Sequence, residues 1–294
     1  MRALGLIVLI AVLGPLGTAG ASEVVVYTAR HYGQEPALEA FTKKTGIQVK
    51  LLAGSTGELF ERLKAEGDRT PADVLLTVDA GNLWNAARAG LLSKIDSPEL
   101  ASNVPASLRD PENRWFGLTV RARTIMYNTS KVKPAELSTY EALGDSKWKG
   151  RLCLRTSGYI YNQSLLATMI KRYGEARTEE IARSWAATKD PAFPVLPFWA
   201  NQQTTGTHVN VSGAGVTTHA KNRANAIKLL VFLSTAEAQQ MFADVAFEYP
   251  ANPQAAVSPL VLKWGKFKQD DINIASAGEF QAATTRLADR AGYK

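Results

Sequence analysis

The chain has one cysteine in 294 residues, Cys153, so it can close no intrachain disulfide and holds no cysteine pair for a zinc or redox motif. Stability must come from packing. Flanked by Leu152 and Leu154, that cysteine reads as a small buried apolar residue rather than a nucleophile. Histidine is scarce too, with only His31, His208 and His219. Neither a Gly-x-Ser-x-Gly elbow nor a His-Glu-x-x-His helix is present, so a secreted hydrolase would need one of those three histidines and a serine that nothing marks. Lysine and arginine outnumber aspartate and glutamate by 34 to 27, yet the excess never gathers into a run. That excludes a nucleic-acid groove and leaves only an overall field favouring small anions. Beyond the amino terminus no apolar stretch reaches the roughly 20 residues that a membrane helix needs. Tyrosine occurs nine times, but no two stand side by side, and none falls between Tyr173 and Tyr249.

What is present is ordinary globular material: 46 % hydrophobic and 21 % charged residues can build a packed core. The first 21 residues read as a cleaved secretory signal. Leu4 to Leu16 is a short apolar stretch behind Arg2, and Ala19-Gly20-Ala21 supplies the small residues a signal peptidase requires. About 273 residues remain, enough for two small domains, and the periplasm is the expected compartment. Strand and helix patterns then alternate. Val24–Tyr27, Ile47–Leu52 and Ala72–Thr77 are apolar, β-prone runs, each followed by a helical pattern, which predicts a mainly parallel sheet. Trp115 to Asn128 is longer than one strand needs, as if it left one domain and entered another. Arg151–Arg155 reads as a strand before helices at Asn162–Arg172 and from Thr178 to about Ala187. Pro191, Pro194 and Pro197 then interrupt the pattern. Thr207–Val211 reads as a strand, Ser212-Gly213-Ala214-Gly215 as a glycine turn, and Asn225–Leu233, the segment from Thr235, and Glu279–Arg290 as helices.

Several stretches in order resemble the periplasmic ferric-iron-binding proteins of ABC transporters. They are Val26 through Tyr32, Pro71 through Leu76, Gly117 through Arg123, Gly206 through Val216, Ala220 through Leu230, and Tyr249 through Pro253. The resemblance covers nearly the whole chain after the signal. It implies an α/β, two-domain periplasmic-binding-protein fold of the Venus-flytrap kind, acting as a monomer and handing its cargo to a membrane permease. The expected division is 22–115 with 206–262 as a first discontinuous domain and 116–205 with 263–294 as a second. In the similar subgroup Fe(III) is held by a His-Tyr pair, a Tyr-Asn-Gln tyrosine and an adjacent Tyr-Tyr pair. The first two have counterparts here in His31, Tyr32 and Tyr161. A subgroup that uses a glutamate after the strand at Pro71–Thr77 is a poorer match, because Val78 stands there.

Such residues suit the ion. Fe(III) is small, hard and highly charged, so it prefers anionic oxygen, and a phenolate provides it once the metal displaces the proton. Arg121 and Arg123 alternate on a predicted strand and would share a face. The resemblance makes either a clamp for a carbonate-like synergistic anion. The Tyr-Tyr pair has no counterpart. Only nine residues, Thr188 to Leu196, separate the landmarks between which it would lie, so the expectation is a second domain truncated there and a site of reduced or lost iron affinity. A binder of small anions such as phosphate is the alternative, since two arginines and a glycine turn would serve it.

Overall fold

Apolar runs separated by helix-starting residues produce three βα units in succession. The computed structural model describes residues 22–30, 35–154, 156–188 and 196–293; residues 1–21, expected to be a signal, and His31, Tyr32, Pro191 and Pro194 lie outside the described residues. The units are β1 (Glu23–Thr28), α1 (Glu35–Thr45), β2 (Gln48–Ala53), α2 (Thr56–Glu66), β3 (Val74–Val78) and α3 (Ala80–Arg88). At α2 the start is a reciprocal capping box: Ser55 accepts from the Glu58 amide, and the Glu58 carboxylate accepts from the Ser55 amide at 2.8 Å. There follow α4 (Pro98–Asn103), β4 (Phe116–Ala122), β5 (Ile125–Tyr127), α5 (Ile160–Tyr173), α6 (Glu175–Thr188), β6 (Leu196–Phe198), β7 (Val209–Val216) and α7 (Arg223–Ser234). The chain ends through α8 (Ala236–Ala246), β8 (Tyr249–Pro250), α9 (Pro259–Leu262), α10 (Ser276–Glu279) and α11 (Gln281–Arg290). Among the described residues, no helix is long and apolar enough to cross a membrane.

Six strands form the main sheet in the order β2-β1-β3-β7-β4-β8. Only the β1 pairings with β2 and β3 are parallel; β7 runs antiparallel to both β3 and β4, and β8 antiparallel to β4. The expected mainly parallel sheet is therefore a mixed one. β7 enters after a long excursion, so no short crossover helix fixes its direction. The glycine turn is corrected as well: Ser212 to Gly215 lies inside β7, all of whose residues are buried. Glycine is required there because a Cβ on Gly213 would sit 2.5 Å from the Phe116 carbonyl, and one on Gly215 2.5 Å from that of Arg114. Asp73 explains two of the quoted stretches at once. Its carboxylate accepts from the Val25 amide at 2.9 Å and the Asn222 amide at 2.7 Å, tying β1 to the start of α7.

The long run from Trp115 divides as its length implied. β4 belongs to the main sheet, whereas β5 pairs with β6 in a separate two-stranded sheet. Beyond it a second core gathers Leu166, Met169, Ile170, Ile181, Trp185, Leu287 and Tyr293 from α5, α6 and the carboxy-terminal segment. This is an apolar core in its own right, not the remnant of a truncated domain. Arg151–Leu154 forms no strand, and Cys153 is exposed rather than buried. Leu152 and Leu154 turn toward the second core, so alternation puts the cysteine between them outside.

Candidate ligand-binding site

Strand alternation decides which β4 side chains reach the junction with α5. Val120 points into the first core and is fully buried, leaving Thr119 and Arg121 on the opposite face. Arg121 donates from Nη1 to the Tyr161 hydroxyl at 3.0 Å, with its guanidinium 5.3 Å from the ring centre. The Arg123 guanidinium lies 4.4 Å from the centre of the same ring. Its backbone is pinned on both sides: the amide donates to the His208 carbonyl at 2.8 Å, and the carbonyl accepts from the Tyr140 hydroxyl. Tyr161 is the second residue of α5 and so sits at the positive end of a 14-residue helix. Two guanidiniums and a helix terminus thus collect positive charge around one phenol. Burial, then the neighbouring charge of Arg121, pulls Arg123 below the usual arginine range.

A buried acid supports each side of this cluster. Asp79 caps α3 from a left-handed backbone, φ 77°. It accepts from Gly81 at 2.8 Å, from the Ser164 hydroxyl of α5 at 2.7 Å and from Asn210 of β7 at 2.5 Å. Burial pushes its carboxyl up, against those hydrogen bonds and the charge of Arg121. Glu248, just before β8, bonds Arg30 at 2.9 Å, accepts from Thr119 at 2.5 Å and comes within 3.8 Å of Arg121. Burial acts to raise the Glu248 carboxyl, but the two guanidiniums and the threonine outweigh it and hold the group below its ordinary value.

The structure therefore brings together three of the expected residues, Arg121, Arg123 and Tyr161. His31 and Tyr32 lie outside the described residues, immediately after Arg30. Among the described residues no group of three or more His, Cys, Asp or Glu could hold a metal. His208 is buried and pushed down to about 3 by burial and by Arg123, so it is neutral, and His219 is exposed on a turn. Sequence reasoning missed Asp79 and Glu248. The first has a local signal, an acidic residue between an apolar strand and a helix; the second has none, since its partners are 218 and 129 residues away.

Comparison with known proteins places this geometry. A model of the bacterial extracellular solute-binding proteins matches residues 27–248. Iron uptake protein A1 of Synechocystis is 39 % identical over an alignment of 315 positions, covering 92 % of this chain and 88 % of that protein. The Trichodesmium protein solved in complex with iron and citrate ligands superposes with a TM-score of 0.90 at 38 % identity, over 93 % of this chain and 100 % of its own. The open ferric iron-binding protein A of Mannheimia haemolytica gives 0.87 at 33 % identity, over 93 % and 99 %. Coverage of those solved chains from end to end overturns the expected truncation of the second domain. With a match that spans most of its length and relatives this similar, the chain belongs to the bacterial extracellular solute-binding protein family.

Proposed function

We propose that this protein is the iron(III)-binding component of an ABC import system, collecting Fe3+ in the periplasm as a monomer and delivering it to a membrane permease. The observation that carries the reading is the Tyr161 phenol held against Arg121 at 3.0 Å with Arg123 over its ring. A phenolate is a hard anionic donor suited to Fe(III), and guanidiniums beside it can hold a carbonate-like anion that fills the rest of the coordination sphere. Tyr161, His31 and Tyr32 are the proposed metal ligands, and Arg121 and Arg123 the proposed anion clamp. The cleft would lie between a first domain of 22–115 with 206–262 and a second of 116–205 with 263–294; two separate cores support a division into two domains, with the first core also drawing in Phe116, Leu118 and Val120 of β4 and Ile274, Ala275 and Ala277. No two tyrosines are adjacent in the chain, so the site offers two phenolates instead of four. Affinity below that of a four-phenolate site follows, because water or exogenous anions must complete the sphere.

Titration of the apo-protein with ferric citrate tests the reading. A phenolate-to-iron charge-transfer band is expected in the wild type and is weakened in Tyr161→Phe, while the thermal transition of that variant changes little. The two guanidiniums also fit a phosphate-like anion without metal. A thermal shift with phosphate, and none with ferric salts, would replace the iron reading by that one.

A further inference from the structure

The two arginines beside Tyr161 are held in different ways. Arg121 lies inside β4, in register with Asn210 of β7, so the main sheet fixes its backbone. Arg123 comes after the last pair of that ladder, Ala122 with Val209, and before the first pair of the two-stranded sheet, Ile125 with Phe198. It stands outside both ladders, where the chain crosses from the first core toward the second. The returning crossing ends at His208, the residue before β7.

One side chain serves both crossings. The Tyr140 hydroxyl donates to the Arg123 carbonyl and accepts from the His208 amide at 3.1 Å. The Arg123 amide closes the triangle by donating to the His208 carbonyl at 2.8 Å. Tyr140 is itself anchored in the second core: its amide donates to the Asn201 side chain at 2.8 Å, and its carbonyl accepts from Trp185 Nε1 at 2.7 Å. Burial pushes the phenol up, so the hydroxyl stays protonated and remains a donor. The next residue, Thr124, bonds the Phe198 carbonyl at 2.7 Å and so follows the second sheet. Tyr140 and His208 thus set the Arg123 backbone, and with it the guanidinium 4.4 Å from the centre of the Tyr161 ring. A donor placed in advance loses little freedom when an anion arrives.

Resting on the iron reading above, we propose that Tyr140 is a positioning residue for the anion clamp: its hydroxyl pins the two crossing strands together and so holds Arg123 over Tyr161. Tyr140→Phe keeps the ring in the second core and removes only the hydroxyl. Titration with ferric nitrilotriacetate, with and without bicarbonate, reads the clamp, and amide hydrogen exchange of the apo-protein reads the pin. In the variant the His208 amide loses its acceptor and should exchange on the order of tenfold faster, while the β7 amides from Val211 onward keep their wild-type rates. The phenolate-to-iron band should persist, because Tyr161 is untouched, but the gain in iron affinity from bicarbonate should fall several-fold. Added to Arg123→Met, Tyr140→Phe should change that gain no further, since it acts through the residue already removed. Thr178→Val removes another buried hydroxyl, one that bonds the Gly174 carbonyl at 2.9 Å in the second domain, and should lower stability without altering the gain. A gain that falls as far in Thr178→Val, or by the same factor with and without Arg123, overturns the proposal. Ferric uptake whose bicarbonate gain ignores Tyr140→Phe leaves the iron reading intact and removes this one. No ferric uptake by the wild type, with the His208 amide still accelerated in Tyr140→Phe, removes the iron reading and leaves the pin standing.

Discussion

Glu248→Ala takes one carboxylate from between two guanidiniums. The carboxylate bonds Arg30 at 2.9 Å with side chains only 6 % and 2 % exposed, accepts from Thr119 at 2.5 Å, and faces Arg121 at 3.8 Å. Breaking a buried ion pair by removing one partner costs roughly 3–5 kcal/mol, mostly the penalty on the charge left behind. Against a total stability of about 5–15 kcal/mol this is a large fraction, and it corresponds to a fall in Tm on the order of 10 °C for a chain of this size. Urea denaturation at pH 7 measures it directly. Glu248→Leu combined with Arg30→Met should recover much of the loss, since apolar residues of similar volume replace a buried pair without the desolvation cost. The pH dependence has a definite sign. Glu248 is held below its ordinary value, so its contribution is fully present above the unfolded pKa of about 4.3 and is lost as pH falls through the lower folded value. Wild type and Glu248→Ala should therefore converge in acid. A single variant within about 1 kcal/mol of wild type at pH 7 would refute the assignment of a buried, load-sharing pair.

Three shorter predictions follow from other parts of the fold. His208 is buried and pushed down to about 3 from an unfolded value near 6.5, so the unfolded state takes up the proton first. Stability from this group is lost below pH 6.5 at up to about 1.4 kcal/mol per pH unit, and His208→Gln should flatten urea midpoints measured between pH 7 and 5. Gly213→Ala drives a methyl to within 2.5 Å of the Phe116 carbonyl and 2.9 Å of Leu83 and should cost about 1–3 kcal/mol by thermal denaturation, whereas Gly57→Ala, where a Cβ meets nothing within 4 Å, should cost nothing measurable. Arg121→Met removes one of the two guanidiniums beside Tyr161 and should weaken the dependence of ferric titrations on added bicarbonate that the wild type is expected to show.

Periodicity made the βα units of the first domain legible because each buries one face of a strand and one stripe of a helix against the same sheet. Thr235 was readable as a cap and does accept from the Ala238 amide at 3.3 Å. The direction of β7 was not readable, since antiparallel pairing and a tight turn both tolerate the glycines at 213 and 215, and only the Phe116 and Arg114 carbonyls decide between them. Cys153 was misjudged because a hydrophobic neighbourhood in sequence is not one in space when the segment is extended. At the site, the alternation of Arg121 and Arg123 and the Tyr161-Asn162-Gln163 motif pointed to residues that do converge on one ring. Glu248 stayed hidden because its role is set by Arg30, just after β1, and by Thr119 and Arg121 on β4, far away in sequence. The expected truncation of the second domain failed for a related reason: a short count between two landmarks does not describe how the helices on either side of it pack.

The position of β7 also has a consequence for the order of events at synthesis. It lies between β3 and β4 with every residue buried, yet it is made only after residues 123–208 have left the ribosome. Until then β3 and β4 each present an open edge, and the first core lacks Val209, Val211, Ala214 and Val216. The first domain is thus completed after the segment inserted in it, and a fragment ending near residue 122 has no strand with which to join its two halves. Premature release of the nascent chain anywhere before Val216 would leave an adhesive sheet edge, the template on which such fragments associate.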